Sequence, residues 1–347
     1  DAGENAENVL SSMWRRHSAH PDLLLKPTSE SYNTVIDAWA RMGEPEHASR
    51  VLDELLEKYN GGDKSLVPTT ASYSAVIDAW SKSESPDAGT KAQGLMEAMW
   101  ERYSTNPDKS IKPDQKSYTA LINAWIGSND AHAIERVYRI LEEMWRKCLQ
   151  QGDRSLAPET VTYNSLIDAW SKSQSPDAGK NAERILSGMW DLHSTHPELG
   201  IKPNAYSYSS TINAWAKTDH SDAPLHASRI LEDMWQRNGK GDTSLAPNTV
   251  VYNSMLGAWS RSSRKDAGKE AERVLFEMIE KYQANPDLDL MPDQVSFNLV
   301  KATWEKSSDF PTAQKALSLL TGFWKKVMDG EVFVGRDPND FRGDVTD

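Results

Sequence analysis

The chain has 347 residues, 38% of them apolar, and 51 acidic against 39 basic side chains leave a net charge of −12. That balance excludes indiscriminate attraction to nucleic acid or anionic membrane, and a single cysteine, Cys148, excludes an intrachain disulfide framework or a thiolate metal cluster. No apolar run approaches the roughly 20 residues a membrane span needs.

The chain opens not on a signal or transit segment but on "DAGENAENVL", which resembles the middle of a later stretch, "DAGKNAERIL" (Asp177–Leu186). It is therefore expected to be an excerpt of a longer protein, starting with the second helix of a partial repeat over residues 1–27. Related boxes then follow in order: "SYNTVIDAW" (Ser31–Trp39), "SYSAVIDAW" (Ser72–Trp80), "SYTALINAW" (Ser117–Trp125), "TYNSLIDAW" (Thr162–Trp170), "SYSSTINAW" (Ser207–Trp215), "VYNSMLGAW" (Val251–Trp259) and "SFNLVKATW" (Ser296–Trp304). A Pro precedes each box (Pro27, Pro68, Pro113, Pro158, Pro203, Pro247 and Pro292), in steps of 41, 45, 45, 45, 44 and 45 residues. A fixed period of this size marks stacked supersecondary units. The predicted repeats, one to seven, are 28–68, 69–113, 114–158, 159–203, 204–247, 248–292 and 293–330, followed by a tail, 331–347, that leaves the pattern and reads as a linker or disordered.

Each repeat reads as two helices. At about 100° per residue, Tyr32, Val35, Ile36 and Trp39 fall in one arc, the buried stripe of an amphipathic helix. Pro and a following Thr, Ser, Asp or Asn mark its start. The second helix carries its own stripe, as in Ala92, Leu95, Met96, Met99 and Trp100. The 13 Trp close these stripes, seven on first helices and six on second helices, which fits core between helices rather than a bound cofactor. One repeat alone has too few apolar anchors to offset the entropy of ordering it, so neighbours must bury one another. The expected fold is all-α, a right-handed α-solenoid superhelix of stacked helix-turn-helix repeats. A second period overlies the first: even repeats share a "DAG" segment, and odd ones end in "GDKSL", "GDRSL" or "GDTSL". Duplication of a two-repeat block explains that pattern without giving it a function.

The noncore face of the first helix lies at four offsets from the box aromatic: two before it, then one, five and nine after. The residue one after is always small and polar: Asn33, Ser74, Thr119, Asn164, Ser209, Asn253 and Asn298. Nine after stand Arg41, Lys82, Gly127, Lys172, Lys217, Arg261 and Lys306. A row of cations beside a row of variable hydrogen-bonding side chains suits one strand of nucleic acid, with cations on phosphates and amides or hydroxyls on base edges. The same cations equally suit neutralisation of first-helix C-termini, with the polar residues merely solvated.

"TYNSLIDAWSKS", followed by an Ala-x-x-x-Leu-x-x-Met helix and a closing "KPD" or "APN", resembles the pentatricopeptide repeat. The likeness runs over residues 28–328, with a partial unit before. The family unit has about 35 residues; the extra ones here lie between the helices and between the Met and the Pro. The resemblance implies a noncatalytic, cofactor-free protein that binds single-stranded RNA, one base per repeat, in a mitochondrion or plastid, acting as a monomer with other RNA-processing proteins as further partners. It implies base reading by the residue after the box aromatic together with the one after the next Pro: Asn33 with Thr69, Ser74 with Asp114, Thr119 with Glu159, Asn164 with Asn204, Ser209 with Asn248, Asn253 with Asp293, and Asn298 without a visible partner. The implied target, 5′ to 3′, is pyrimidine–G–purine–pyrimidine–A–U–pyrimidine. Val161, Tyr206, Val250 and Val295, two before the aromatic, match the family's base-packing position, whereas Glu30, Ala71 and Lys116 do not. Arg41, Lys82, Lys172, Lys217, Arg261 and Lys306 match its phosphate neighbour.

A scaffold that binds protein through the same solenoid stays open, given the acidic balance and those three departures. His17/His20 and His193/His196 have ligand-like spacing, but other repeats place Tyr103/Asn106 there, so loop filler is expected rather than a metal. Ser85 and Ser175, each before a Pro, read as turn residues.

Overall fold

The computed structural model describes residues 2–21, 25–105, 109–128, 130–307 and 310–328. The tail after Gly330 lies outside the described residues. These contain 15 α-helices and no strand. After α1 (Ala2–Ala19) come pairs: α2 (Ser29–Arg41) and α3 (Pro45–Asn60), α4 (Thr70–Lys82) and α5 (Ala88–Thr105), α6 (Gln115–Gly127) and α7 (Ala133–Gln150), α8 (Thr160–Lys172) and α9 (Ala178–Thr195), α10 (Ala205–Ala216) and α11 (Ala223–Gly239), α12 (Thr249–Arg261) and α13 (Ala267–Ala284), α14 (Gln294–Glu305) and α15 (Phe310–Met328).

First helices start where the sequence dictates. Thr28, Thr69, Asp114, Asn204 and Asp293 stand in extended conformation after each Pro and close a capping box with the Ser before the aromatic, for example Ser117 for Asp114. Asn248 still caps α12, accepting from the Val251 N–H at 3.1 Å, but Val251 has no hydroxyl to complete a box.

The chain divides into two compact bodies, Asp1–Leu166 and Ile167–Asp347. In the first, α2, α4 and α6 pack side by side, with α3 and α5 lodged in turn against them; in the second, α10, α12 and α14 do so, with α11 and α13 against them. Each body is thus a two-layer α-solenoid segment. The expected stripes form its core: Tyr32, Val35, Ile36 and Trp39 are buried, as are their counterparts Tyr252, Met255, Leu256 and Trp259. The long loops after the second helices each insert one apolar side chain (Leu66, Ile111, Leu156, Ile201, Leu245 or Leu290), all buried. The residues in excess of the family length are therefore packed structure.

The second-helix Trp differ from expectation, being only half-buried. Their indole N–H groups donate to the next box Tyr: Trp14 to Tyr32 at 2.9 Å, Trp100 to Tyr118 at 3.0 Å, Trp190 to Tyr208 at 3.0 Å and Trp235 to Tyr252 at 2.9 Å. Each Tyr hydroxyl donates onward to an acid of its own repeat, Glu54, Glu143, Asp233 or Glu277. The cation four residues later, Lys58, Lys147, Arg237 or Lys281, returns over the Trp ring at 4.3, 3.4, 3.9 and 4.3 Å. Burial first, then the neighbouring carboxylate, pushes the Tyr118 and Tyr252 hydroxyls far above the ordinary range, so they stay protonated donors. At the last junction Ile279 stands where Trp would, and Phe297 stands where Tyr would, so the polar pair is lost together.

The two-repeat alternation has a structural cause. Gly3, Gly89, Gly179 and Gly268, from the "DAG" segments, lie against Trp39, Trp125, Trp215 and Trp304 of the following odd repeat, where a Cβ would come within 2.4, 2.3, 2.3 and 2.7 Å of the ring. Odd repeats carry Pro45, Ile134 and Pro224 there. The Lys before the Pro that closes repeats two and four, and its N-terminal equivalent, reaches the "GD" loop of the next repeat: Lys26 to Asp63 at 2.7 Å, Lys202 to Asp242 at 2.8 Å, and Lys112 to Asp153.

Candidate nucleic-acid interface

Among the described residues each first helix has one face turned away from the core, and the candidate residues other than the buried Asn164 lie on it. Val161, Tyr206, Val250 and Val295 are 55, 53, 61 and 52% exposed. A Val at such a position leaves more than half of its surface open, and that apolar area is free for a ligand. Glu30, Ala71 and Lys116 occupy the same exposed position in repeats one to three.

One residue past the aromatic, the small polar side chains are held in different ways. Asn253 and Asp293 meet directly, the amide donating to the two carboxylate oxygens at 3.2 and 3.3 Å. Asn33 and Thr69 are joined through Ser72, which donates to Asn33 Oδ1 at 2.6 Å and accepts from the Thr69 N–H at 3.1 Å. Ser74 and Asp114 are joined through Ser117, 2.6 Å from Ser74 and 2.7 Å from Asp114. Among the described residues no hydrogen bond joins Thr119 to Glu159. Ser209 turns to its own helix, donating to the Tyr206 carbonyl at 3.1 Å, and Asn298 accepts from Gln294 at 3.0 Å. Asn164 is buried, at 7% exposure. Thr69, Asp114, Asn204, Asn248 and Asp293 thus serve the fold as helix caps as well as lining this face. Burial lifts the Asp293 carboxyl, but hydrogen bonds from Ser296 and Asn253 outweigh it and hold the group below the ordinary range, hence charged.

The serines at the box start, Ser72, Ser117 and Ser296, do not stand out by residue type in the sequence. Their recurrence directly before the aromatic is the signal that marks them.

The cation row is less uniform than its spacing implies. Arg41, Lys82 and Lys172 each pair with the acid one turn earlier: Arg41 with Asp37 at 2.7 Å, Lys82 with Asp78 at 2.5 Å and Lys172 with Asp168 at 2.7 Å. Lys306 donates to the Ser260 carbonyl at 2.8 Å, the helix-terminus role. Lys217 and Arg261 are exposed and have no ion-pair partner among the described residues. In their repeats the acid's place is taken by Asn213 and Gly257. Arg261, Arg264, Lys265 and Lys306 also line a cleft of about 380 Å³ beside the start of α13, in which Arg264 is already bonded to Asp266.

His17 and His193 lie in the last turns of α1 and α9 rather than in loops, edge-on to Trp14 and Trp190. Ser85 and Ser175 accept from the N–H of Asp87 and Asp177 in the turns before α5 and α9. Cys148 is buried in α7, and burial pushes its thiol up. Among the described residues no group of three or more His, Cys, Asp or Glu is placed to hold a metal ion, and no helix is long and apolar enough to cross a membrane.

Stacked helical hairpins with an open first-helix face of small polar, apolar and cationic residues define a helical-repeat binding scaffold. Residues 30–59 match the PPR repeat, and residues 106–173 match the pentatricopeptide repeat domain. Those two matches identify pentatricopeptide repeats within residues 30–59 and 106–173 of the chain. No curated protein matches it. Among solved structures it is similar to the pentatricopeptide repeat protein PPR10 from maize, at 20% identity and a TM-score of 0.35 over 95% of this chain. The chain spans about half of that protein, 47%.

Proposed function

We propose that the open face of the first helices binds single-stranded RNA, one base per repeat. The observation that carries this reading is the set of four apolar side chains, Val161, Tyr206, Val250 and Val295, more than half exposed beside small hydrogen-bonding residues. An unstacked base has one face that gains from apolar contact and an edge that needs donors and acceptors, and this arrangement offers both. Lys217 and Arg261, free of acidic partners, are the cations best placed for phosphates. Binding is therefore strongest in repeats five to seven, whose expected bases are A–U–pyrimidine. In repeats one and two the packing position is Glu30 or Ala71, and the cations are held by Asp37 and Asp78.

The RNA is held rather than cut. Its short site is occluded or presented during organellar RNA processing, stabilisation or translation, in a mitochondrion or plastid. The organelle rests on the family alone, and fractionation of tagged full-length protein tests it.

Selection from a randomised RNA pool tests the binding. Enrichment of oligonucleotides containing the A–U–pyrimidine core supports it, and absence of retention at low salt, or retention without sequence preference, overturns it. The second reading, a protein-binding scaffold, draws on the neutralised face of the first repeats. Partners that survive nuclease treatment in a pulldown while RNA is not retained would favour it.

A further inference from the structure

We propose that Ser72, Ser117 and Ser296 are positioning residues, each fixing the hydrogen-bond polarity that the preceding repeat's reading side chain presents to its base. This rests on the RNA reading above. The reason is the count of protons. A serine hydroxyl has one proton to donate and lone pairs to accept with.

Ser117 has Asp114 at 2.7 Å, and its backbone N–H bonds the same carboxylate at 2.8 Å. A carboxylate is the stronger acceptor, so the Ser117 proton goes there. Ser74, 2.6 Å away, must then donate to Ser117. Its own proton is thereby engaged, and what it offers outward is an acceptor. Guanine, with adjacent N–H donors on its Watson–Crick edge, is the base that suits an acceptor.

At Ser72 the neighbouring cap is Thr69, which brings no carboxylate. Ser72 donates to Asn33 Oδ1 at 2.6 Å, so the Asn33 carbonyl is engaged and its amide N–H groups face outward. Repeat six reaches the same state by two bonds. Asp293 can only accept, so it orients the Asn253 amide nitrogen; the Ser296 hydroxyl lies 2.7 Å from Asn253 Oδ1 and 3.0 Å from Asp293, and because Asn253 Oδ1, unlike the Ser74 hydroxyl, has no proton to give, the Ser296 proton goes to that nearer oxygen. One amide N–H remains for the ligand, a donor that suits a pyrimidine carbonyl. Ser209 provides the contrast: the following repeat has Val251, and Ser209 bonds its own helix instead.

The test uses the full chain and RNAs that differ only at the base facing repeat two, or only at the base facing repeat five, read by fluorescence anisotropy with melting curves alongside. We expect wild type to prefer G at repeat two, Ser117→Ala to reduce the G-over-A preference about tenfold, and Ser117→Thr to retain it. Losing a cap alone would weaken every RNA alike and leave the ratio unmoved. Val251→Ser supplies the missing hydroxyl and should sharpen base preference at repeat five by a similar factor; this variant decides the matter if Ser117→Ala does not fold. A wild-type preference that survives unchanged in Ser117→Ala, or a Val251→Ser variant that discriminates as wild type does, overturns the inference and leaves the RNA reading intact. Wild type without any base preference overturns both.

Discussion

Trp125 rests on Gly89, so close that a Cβ at that glycine would stand 2.3 Å from the ring, while the Arg136 guanidinium sits 4.3 Å from the same ring's centre. Trp215 is held alike by Gly179 and by His226, stacked at 4.0 Å. Gly89→Ala or Gly179→Ala should therefore cost about 1–3 kcal/mol through overpacking. Gly94 lies in the same helix as Gly89 with nothing within 4 Å of its would-be Cβ. Gly94→Ala should instead stabilise by about 0.5–1 kcal/mol. Urea unfolding of the three variants checks the contrast.

The Trp100–Tyr118–Glu143 chain makes a second prediction. Tyr118→Phe leaves the Trp100 indole and Glu143 without their shared partner and should cost about 1 kcal/mol. Trp100→Ile combined with Tyr118→Phe, the pair that Ile279 and Phe297 represent, should cost less than the sum of the single changes by about 0.5–1 kcal/mol. A double-mutant cycle measures that coupling.

Acid should loosen the loops first. Hydrogen bonds from Lys26 and Ser65 hold the Asp63 carboxyl below its ordinary value of 3.8. At Asp242 burial pushes the other way, but the bonds from Lys202 and Ser244 outweigh it. A carboxylate depressed on folding adds stability that is fully present above its unfolded pKa, near 3.9, and is lost as pH falls through the lower folded one. Asp63→Asn should thus lower the melting temperature at neutral pH and converge with wild type in strong acid.

Much of the fold was legible because its signals are local and repeated. The 3.6-residue stripe from Tyr32 to Trp39, the Pro-cap start and the period needed no tertiary information. The two-repeat alternation was visible as letters but not as a cause, since Gly89 acquires its meaning only when Trp125, 36 residues on, comes to rest against it. In the candidate site the exposed Val250 and Val295 were readable from helical phase. The pairing of Lys82 with Asp78 was within reach of the same rule, whereas the bond from Ser74 to Ser117 joins residues in different repeats and has no local signature.

The charge pattern separates two lysines. Lys217→Ala should weaken all RNAs alike and reduce the slope of log affinity against log salt by about 0.7 for each phosphate that the lysine neutralises. Lys82→Ala should do little, and Asp78→Asn, by releasing Lys82, should strengthen binding without changing base preference. Salt titrations of the three variants test this.

Asn253→Ser would recreate at repeat six the Ser74–Ser117–Asp114 arrangement, with Ser296 and Asp293 already in place. Base preference there should move from U toward G, as read on RNAs varied at that single position.

The central claim is that exposed apolar side chains on the first helices hold the bases. Anisotropy titration of a selected RNA against wild type and against the Val250→Asp, Val295→Asp double variant tests it most directly. Both side chains are more than half exposed, so melting should be unchanged while affinity falls by at least about tenfold. Wild-type affinity in the folded variant would contradict the account.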